Sequence, residues 1–203
     1  MGPSSAARWV LATVAMLVRA SGAFAAGQAA EPELRITVRV DDKAGVQGAV
    51  LTYAEARAAR VFAMIGVNVD WIDGNQANRL KLVAPYTVLI MTEAPSKMKA
   101  AMDKVGTDVM GQGAPFAGRA YVYYNRVRQL GLIPPRDVGT TLGDVIAHEL
   151  GHLMLPPGHS NLGIMRPGIS MMSRAVETFT EAEAANVRGT VRERTNADKG
   201  RRE

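Results

Sequence analysis

A chain of 203 residues, 47% hydrophobic and 21% charged, with no cysteine and a formal charge of +5, is sized for one folded domain with short extensions. That composition excludes a disulfide framework, a thiolate metal site and a lipidated cysteine. The positive charge is mild, and no basic residues interleave with aromatics as on a nucleic-acid-binding face, so no nucleic-acid partner is expected.

Residues 1–25 have the pattern of a secretory signal peptide. Arg8 gives a positive start, Trp9 to Val18 is an apolar run, and Ala23-Phe24-Ala25 puts small residues where a signal peptidase cleaves. The alternative, an uncleaved anchor, meets the difficulty that this run is too short to span a bilayer. Cleavage would start the mature chain near Ala26, outside the cytoplasm. No stable membrane insertion is then expected. Residues 26–33 form a short flexible lead, too short for a covering pro-domain.

Leu34 to Asp42 alternates. Leu34, Ile36, Val38 and Val40 share one face, which predicts a strand with one buried side. Thr52-Tyr53-Ala54-Glu55 reads as a capping box opening a helix to about Ile65, with Gly66 ending it. Val67 to Ile72 is a second strand. Tyr86 to Met91 is nearly continuous in apolar character, as in a central strand covered on both faces. Pro95 begins a short helix through Met98 and Met102, whose thioethers read as core filler. Gly106 to Gly118, rich in glycine, reads as a surface loop, and Arg119 to Tyr124 as a further strand with three tyrosines.

Beyond Pro134-Pro135, Thr141-Leu142-Gly143-Asp144 is a second capping box, opening the helix that carries His148-Glu149-Leu150-Gly151-His152. Positions i and i+4 stand one above the other on a helix, so two imidazoles can bind one zinc ion. Glu149 lies beside the pair, where a carboxylate can take a proton from a water activated by the metal. Asp144 lies four residues before His148 and either orients that imidazole or simply caps. Pro156-Pro157 stops the helix, Gly158 lets the chain turn, and His159 follows at once. These are the only three histidines in the chain. A third ligand from a turn beyond the helix gives a tetrahedral site with one open position, and no cysteine or further histidine could close it. Gly163, Pro167 and Gly168 mark a turn around Met165. Thr180-Glu181-Ala182-Glu183 is a third capping box, opening a last helix to about Arg188, and residues 189–203 form a charged tail.

Over His148 to Pro167 the sequence resembles the metzincin clan of zinc endopeptidases, and most closely its matrixin branch, through His159-Ser160 followed by Ile164-Met165-Arg166-Pro167. Two features depart from that pattern. His159 lies one residue later than the usual spacing, and Pro156-Pro157-Gly158 must make the bend a single glycine normally makes. The resemblance implies an α+β zincin-like catalytic domain over residues 34–188, a small mixed β-sheet with an active-site helix and a C-terminal helix. It implies zinc on His148, His152 and His159, Glu149 as general base, and Met165 as an apolar floor beneath the metal. It also implies that the strand before the active-site helix, here Arg119 to Tyr124, lines the cleft and pairs with extended substrate. The alternative is that Tyr121, Tyr123 and Tyr124 only pack the sheet. No tyrosine follows Tyr124, so the oxyanion-stabilising role some metzincins give to one stays unassigned.

The expected function is a secreted zinc-dependent endopeptidase, a monomer acting on peptide or protein substrates. Two alternatives stay open. A gluzincin-type site would take its third ligand from Glu177, Glu181 or Glu183. A secreted non-catalytic module would keep zinc without hydrolysis.

Overall fold

The computed structural model describes residues 33–95, 109–168 and 175–200. Five strands form one mixed sheet: β1 (Leu34–Asp42), β2 (Val67–Asp73), β3 (Tyr86–Met91), β4 (Gly111–Ala114) and β5 (Arg119–Tyr123). Their order is β2-β1-β3-β5-β4; β1 pairs parallel with β2 and β3, and β3 with β5, while β4 runs antiparallel along one edge. This is the expected small mixed sheet with its helices.

The alternation in β1 decides which side is covered. Ile36, Val38 and Val40 are buried, together with Val88 and Ile90 of β3 and Ala120 and Val122 of β5. Against this face lie α1 (Gly48–Ala63), through Ala54, Ala58, Val61 and Phe62, and α4 (Val138–His152), through Leu142, Val145, Ile146 and Leu150. Strand β3 is not covered on both faces: its residues alternate, and Thr87, Leu89 and Met91 are only half-buried.

Helix starts differ from the sequence reading in an instructive way. α1 opens at Gly48 without a side-chain cap, so Thr52 and Glu55 fall inside it. α4 opens at Val138. Its N-cap is Asp137, whose carboxylate accepts from the Thr140 backbone N–H at 2.8 Å and from its hydroxyl at 2.7 Å. Thr141 therefore caps nothing, and neither does Asp144. The Asp144 carboxylate is buried and accepts from Arg57 Nε of α1 at 2.8 Å and from Arg136 Nη1 at 3.1 Å. It ties α1 to the helix that carries His148 and His152, and does not orient His148. Among the three capping boxes, only the last forms: the Thr180 N–H donates to Glu183 Oε2 at 2.8 Å and the Glu183 N–H to Thr180 Oγ1 at 3.4 Å.

That box opens α5 (Glu181–Gly200), which does not stop near Arg188. Val187 and Val191 are buried, the Thr190 hydroxyl donates to the Met154 carbonyl at 2.9 Å, and the Arg194 guanidinium lies 4.6 Å above the Tyr86 ring. These contacts draw the charged stretch up to Gly200 into the helix. Two short helices were not foreseen: α2 (Gly74–Leu80), capped by Asp73, and α3 (Tyr124–Gly131), which takes Tyr124 out of the strand. The helix expected through Met98 and Met102 lies outside the described residues, as do the proposed leader and most of the lead at 26–33.

Candidate metal centre

α4 ends at His152, so His148 and His152 occupy its last two turns on one face. Their Nε2 atoms are 3.1 Å apart, near the roughly 3.3 Å edge of a tetrahedron with zinc–nitrogen bonds of about 2.05 Å. Gly158 takes φ +133° beyond the two prolines and brings His159 back. The His159 ring lies 5.2 Å from that of His148 and 4.8 Å from that of His152, centroid to centroid. One ligand atom from each of the three residues falls within 4.8 Å of the others, and this is the one such group of metal-ligating side chains among the described residues. The donor set fits zinc: three imidazoles, with no fourth protein ligand among the described residues to close the site.

The protonation states agree. His148 Nδ1 lies 2.7 Å from the Ile164 carbonyl oxygen. A carbonyl can only accept, so Nδ1 carries the proton and Nε2 keeps its lone pair for a metal. Burial lowers the pKa of His148 against the raising effect of that carbonyl, and burial with His148 and His159 nearby lowers His152 to about 4. Ile164 is a functional residue that the sequence reading missed. Its contribution is a backbone carbonyl, which no side-chain pattern signals.

Met165 is buried beneath the helix, where a Cβ added at Gly151 would collide with its sulfur. Its carbonyl accepts from the Ser160 N–H at 3.1 Å, and the Ile164 N–H donates to the Thr178 carbonyl at 2.9 Å. The loop from His159 to Met165 is thus closed on itself and fastened to the segment leading into α5.

Glu149 is 6% exposed, and its Oε2 has no hydrogen-bond partner. Burial pushes its carboxyl up to about 8, opposed by a hydrogen bond with the Gly113 backbone. A cation on the adjoining imidazoles would pull it down again. Gly113 belongs to β4, in the stretch expected to be a loop. A Cβ at Gly111 would come within 2.6 Å of the Glu149 side chain, and one at Gly113 within 2.5 Å of His152 Cβ. The two glycines therefore let this strand lie flush against the metal-bearing helix. β4 is also the sheet edge beside the site. The stretch Arg119 to Tyr124, which the resemblance implied to be the cleft-lining edge, forms β5 over Arg119–Tyr123 and sits one strand inward, between β3 and β4. Tyr123 is fully buried with its hydroxyl unpartnered, its pKa pushed up to about 12 by burial and secondarily by the charge of Glu149; Tyr121 and Tyr124 are half-buried.

The glutamates weighed as alternative ligands have other partners. Glu177 accepts from Arg166 Nη2 at 2.9 Å, Glu181 from Arg188 Nη2 at 3.0 Å, and Glu183 closes the capping box. Glu183 lies near enough for its charge to be felt at His148, but it is not part of the histidine cluster.

Two histidines on a helix, a third on the turn beyond it and a buried glutamate thus meet in one site, set against a mixed sheet with an antiparallel edge. The chain is similar to a zinc-dependent peptidase from Methanocorpusculum labreanum (strain Z), at 16% sequence identity and a TM-score of 0.51, covering 74% of this chain and 99% of that one. It also matches an archaemetzincin from Methanopyrus kandleri at 14% identity and a TM-score of 0.49, covering 79% of this chain and 96% of that one. No protein-family model and no curated protein matches the sequence.

Proposed function

We propose that the chain is an exported zinc-dependent endopeptidase of metzincin type, with His159-Ser160 and Met165 in matrixin-like roles although His159 stands one residue later than the usual spacing. The observation that carries this is the pairing of a three-histidine donor set with a buried, half-unpartnered Glu149 one residue from the first ligand. Zinc held by His148, His152 and His159 would supply Lewis acidity and lower the pKa of a water beside it. The chain's own residues do the rest. Ile164 fixes the tautomer of His148. Gly113 holds one side of Glu149, leaving Oε2 to accept a proton from the attacking water and return it to the leaving amine. Among the described residues β4 pairs only with β5, so its outer edge is open for an extended peptide to add as a further strand.

Zinc analysis of the purified chain, run beside hydrolysis of a mixed peptide library, tests this reading. Bound zinc with cleavage that a chelator abolishes supports it. Bound zinc with no cleavage supports the non-catalytic binding module.

Export rests on Arg8, the Trp9 to Val18 run and Ala23-Phe24-Ala25. No helix among the described residues is long and apolar enough to cross a membrane. N-terminal sequencing of native protein should read from Ala26, in a fraction outside the cytoplasm. An intact Met1 in the cytosol would refute export and leave the peptidase reading standing.

A further inference from the structure

The end of α2 and the connection from it into β3 read Arg79-Leu80-Lys81-Leu82-Val83, and all five residues are exposed. Leu80 and Leu82 stand 60% and 41% in solvent and Val83 93%. The neighbouring connection, between β4 and β5, carries Phe116, which is fully exposed. Both connections lie at the same end of the sheet. Thr87 pairs with Arg119, its N–H donates to the Gly118 carbonyl at 2.8 Å, and a Cβ at Gly118 would meet the Pro85 carbonyl at 2.6 Å. A cavity of about 450 Å³ beside them is lined by Leu82, Val83, Arg39 and Arg119 among others.

The charge left without an ion pair here has one sign. Arg79, Lys81 and Arg119 have no ion pair among the described residues. The acid in the cavity wall, Asp41, is taken up by Arg39 at 2.8 Å. Apolar side chains left in water cost free energy, and this many at one end of a sheet mark a surface that meets something. Protein interfaces bury their anchors in a packed centre inside a polar rim. Here the exposed apolar groups stand on the last turn of α2 and on two adjoining connections, interleaved in the chain with Arg79 and Lys81 and followed by Arg119. That arrangement suits a bilayer interface, where apolar tips enter the headgroup boundary and cations meet anionic phosphates.

We propose that this end of the sheet docks peripherally on an anionic phospholipid membrane, with Val83 and Phe116 inserted and Arg79, Lys81 and Arg119 against the headgroup phosphates. The inference does not depend on the peptidase reading. It is tested by co-sedimenting the full chain with vesicles of phosphatidylglycerol and phosphatidylcholine, or of phosphatidylcholine alone. The wild type should bind the anionic vesicles, weakly or not at all the neutral ones, and less as salt rises. The double variant Val83→Ser, Phe116→Ser should bind at least about tenfold more weakly, and Lys81→Gln or Arg119→Gln roughly fivefold more weakly each. All four substituted side chains are exposed, so each variant should unfold at the wild-type temperature. No binding, or equal binding to neutral vesicles, would overturn the proposal. So would binding untouched by the double variant, which would place the contact in the Trp9 to Val18 run. Sedimentation velocity supplies a last check: a wild-type dimer that the double variant dissociates would assign the patch to a second copy of the chain and sink the membrane reading.

Discussion

Glu149→Gln should lower peptide hydrolysis by about a hundred- to ten-thousand-fold while the chain keeps its zinc, since positioned general bases contribute on that order. The substitution is nearly isosteric. The amide can still occupy the space against Gly111 and still accept from the Gly113 backbone. What it loses is the ability to take a proton at the second oxygen, the atom for which the fold provides no partner. A buried carboxyl oxygen with nothing to bond is costly in a folded protein, and such atoms mark places where a reacting group completes the arrangement. Metal binding should be spared, because Glu149 is not among the three residues whose ligand atoms converge. The measurement is zinc content and cleavage rate on the same samples of wild type and variant. A variant that cleaves as fast as wild type would remove Glu149 from the mechanism. A variant that loses its zinc would recast it as a residue that shapes the site.

The parts of this site that the sequence displays are those carried by side chains at fixed spacing. His148 and His152 needed only a helix, and the apolar run around them supplied one. His159 was legible because Pro156-Pro157 and Gly158 dictate a stop and a turn just before it. β1 was legible because its alternation is unbroken over Leu34 to Val40. β4 escaped for the opposite reason. Strand signals come from side chains, and Gly111-Gln112-Gly113 has almost none; it is a strand because β5 gives its backbone a partner and because only glycine fits between that backbone and Glu149 and His152. The carbonyl of Ile164 escaped because every residue has one. Asp144 was misassigned because its helical register matched a capping box, whereas its partners, Arg57 and Arg136, come from α1 and from the segment before α4. The short helices α2 and α3 have too few turns to show an apolar stripe, and α3 buries only Val127 and Gly131. The end of α5 was misjudged because propensity was read without its tertiary contacts at Thr190, Val191 and Arg194.

His159→Ala should separate the metzincin-like arrangement from a glutamate-completed one more sharply than any other single change. The two helical histidines are held in place by α4 whatever happens at residue 159, and His148 is further fixed by Ile164. His159 is exposed and arrives on a loop, so removing its ring leaves the core untouched and deletes a ligand. Losing a group that merely orients a ligand costs about ten- to a hundredfold in metal affinity, so losing one of three ligands should exceed a hundredfold. Glu177→Ala should change zinc affinity by far less, because its carboxylate is spent on Arg166. Glu181→Ala removes only an exposed pair with Arg188, and such pairs contribute little. Glu183→Ala should cost about 1 kcal/mol of stability through the lost capping box, with zinc affinity nearly intact. Chelator competition gives the affinities, and circular dichroism on the same samples shows that each variant is folded. Retention of zinc by His159→Ala, together with its loss from one of the glutamate variants, would overturn the three-histidine centre. A uniform loss across all four would instead mean that the loop from His159 to α5 must be intact as a unit for the site to form.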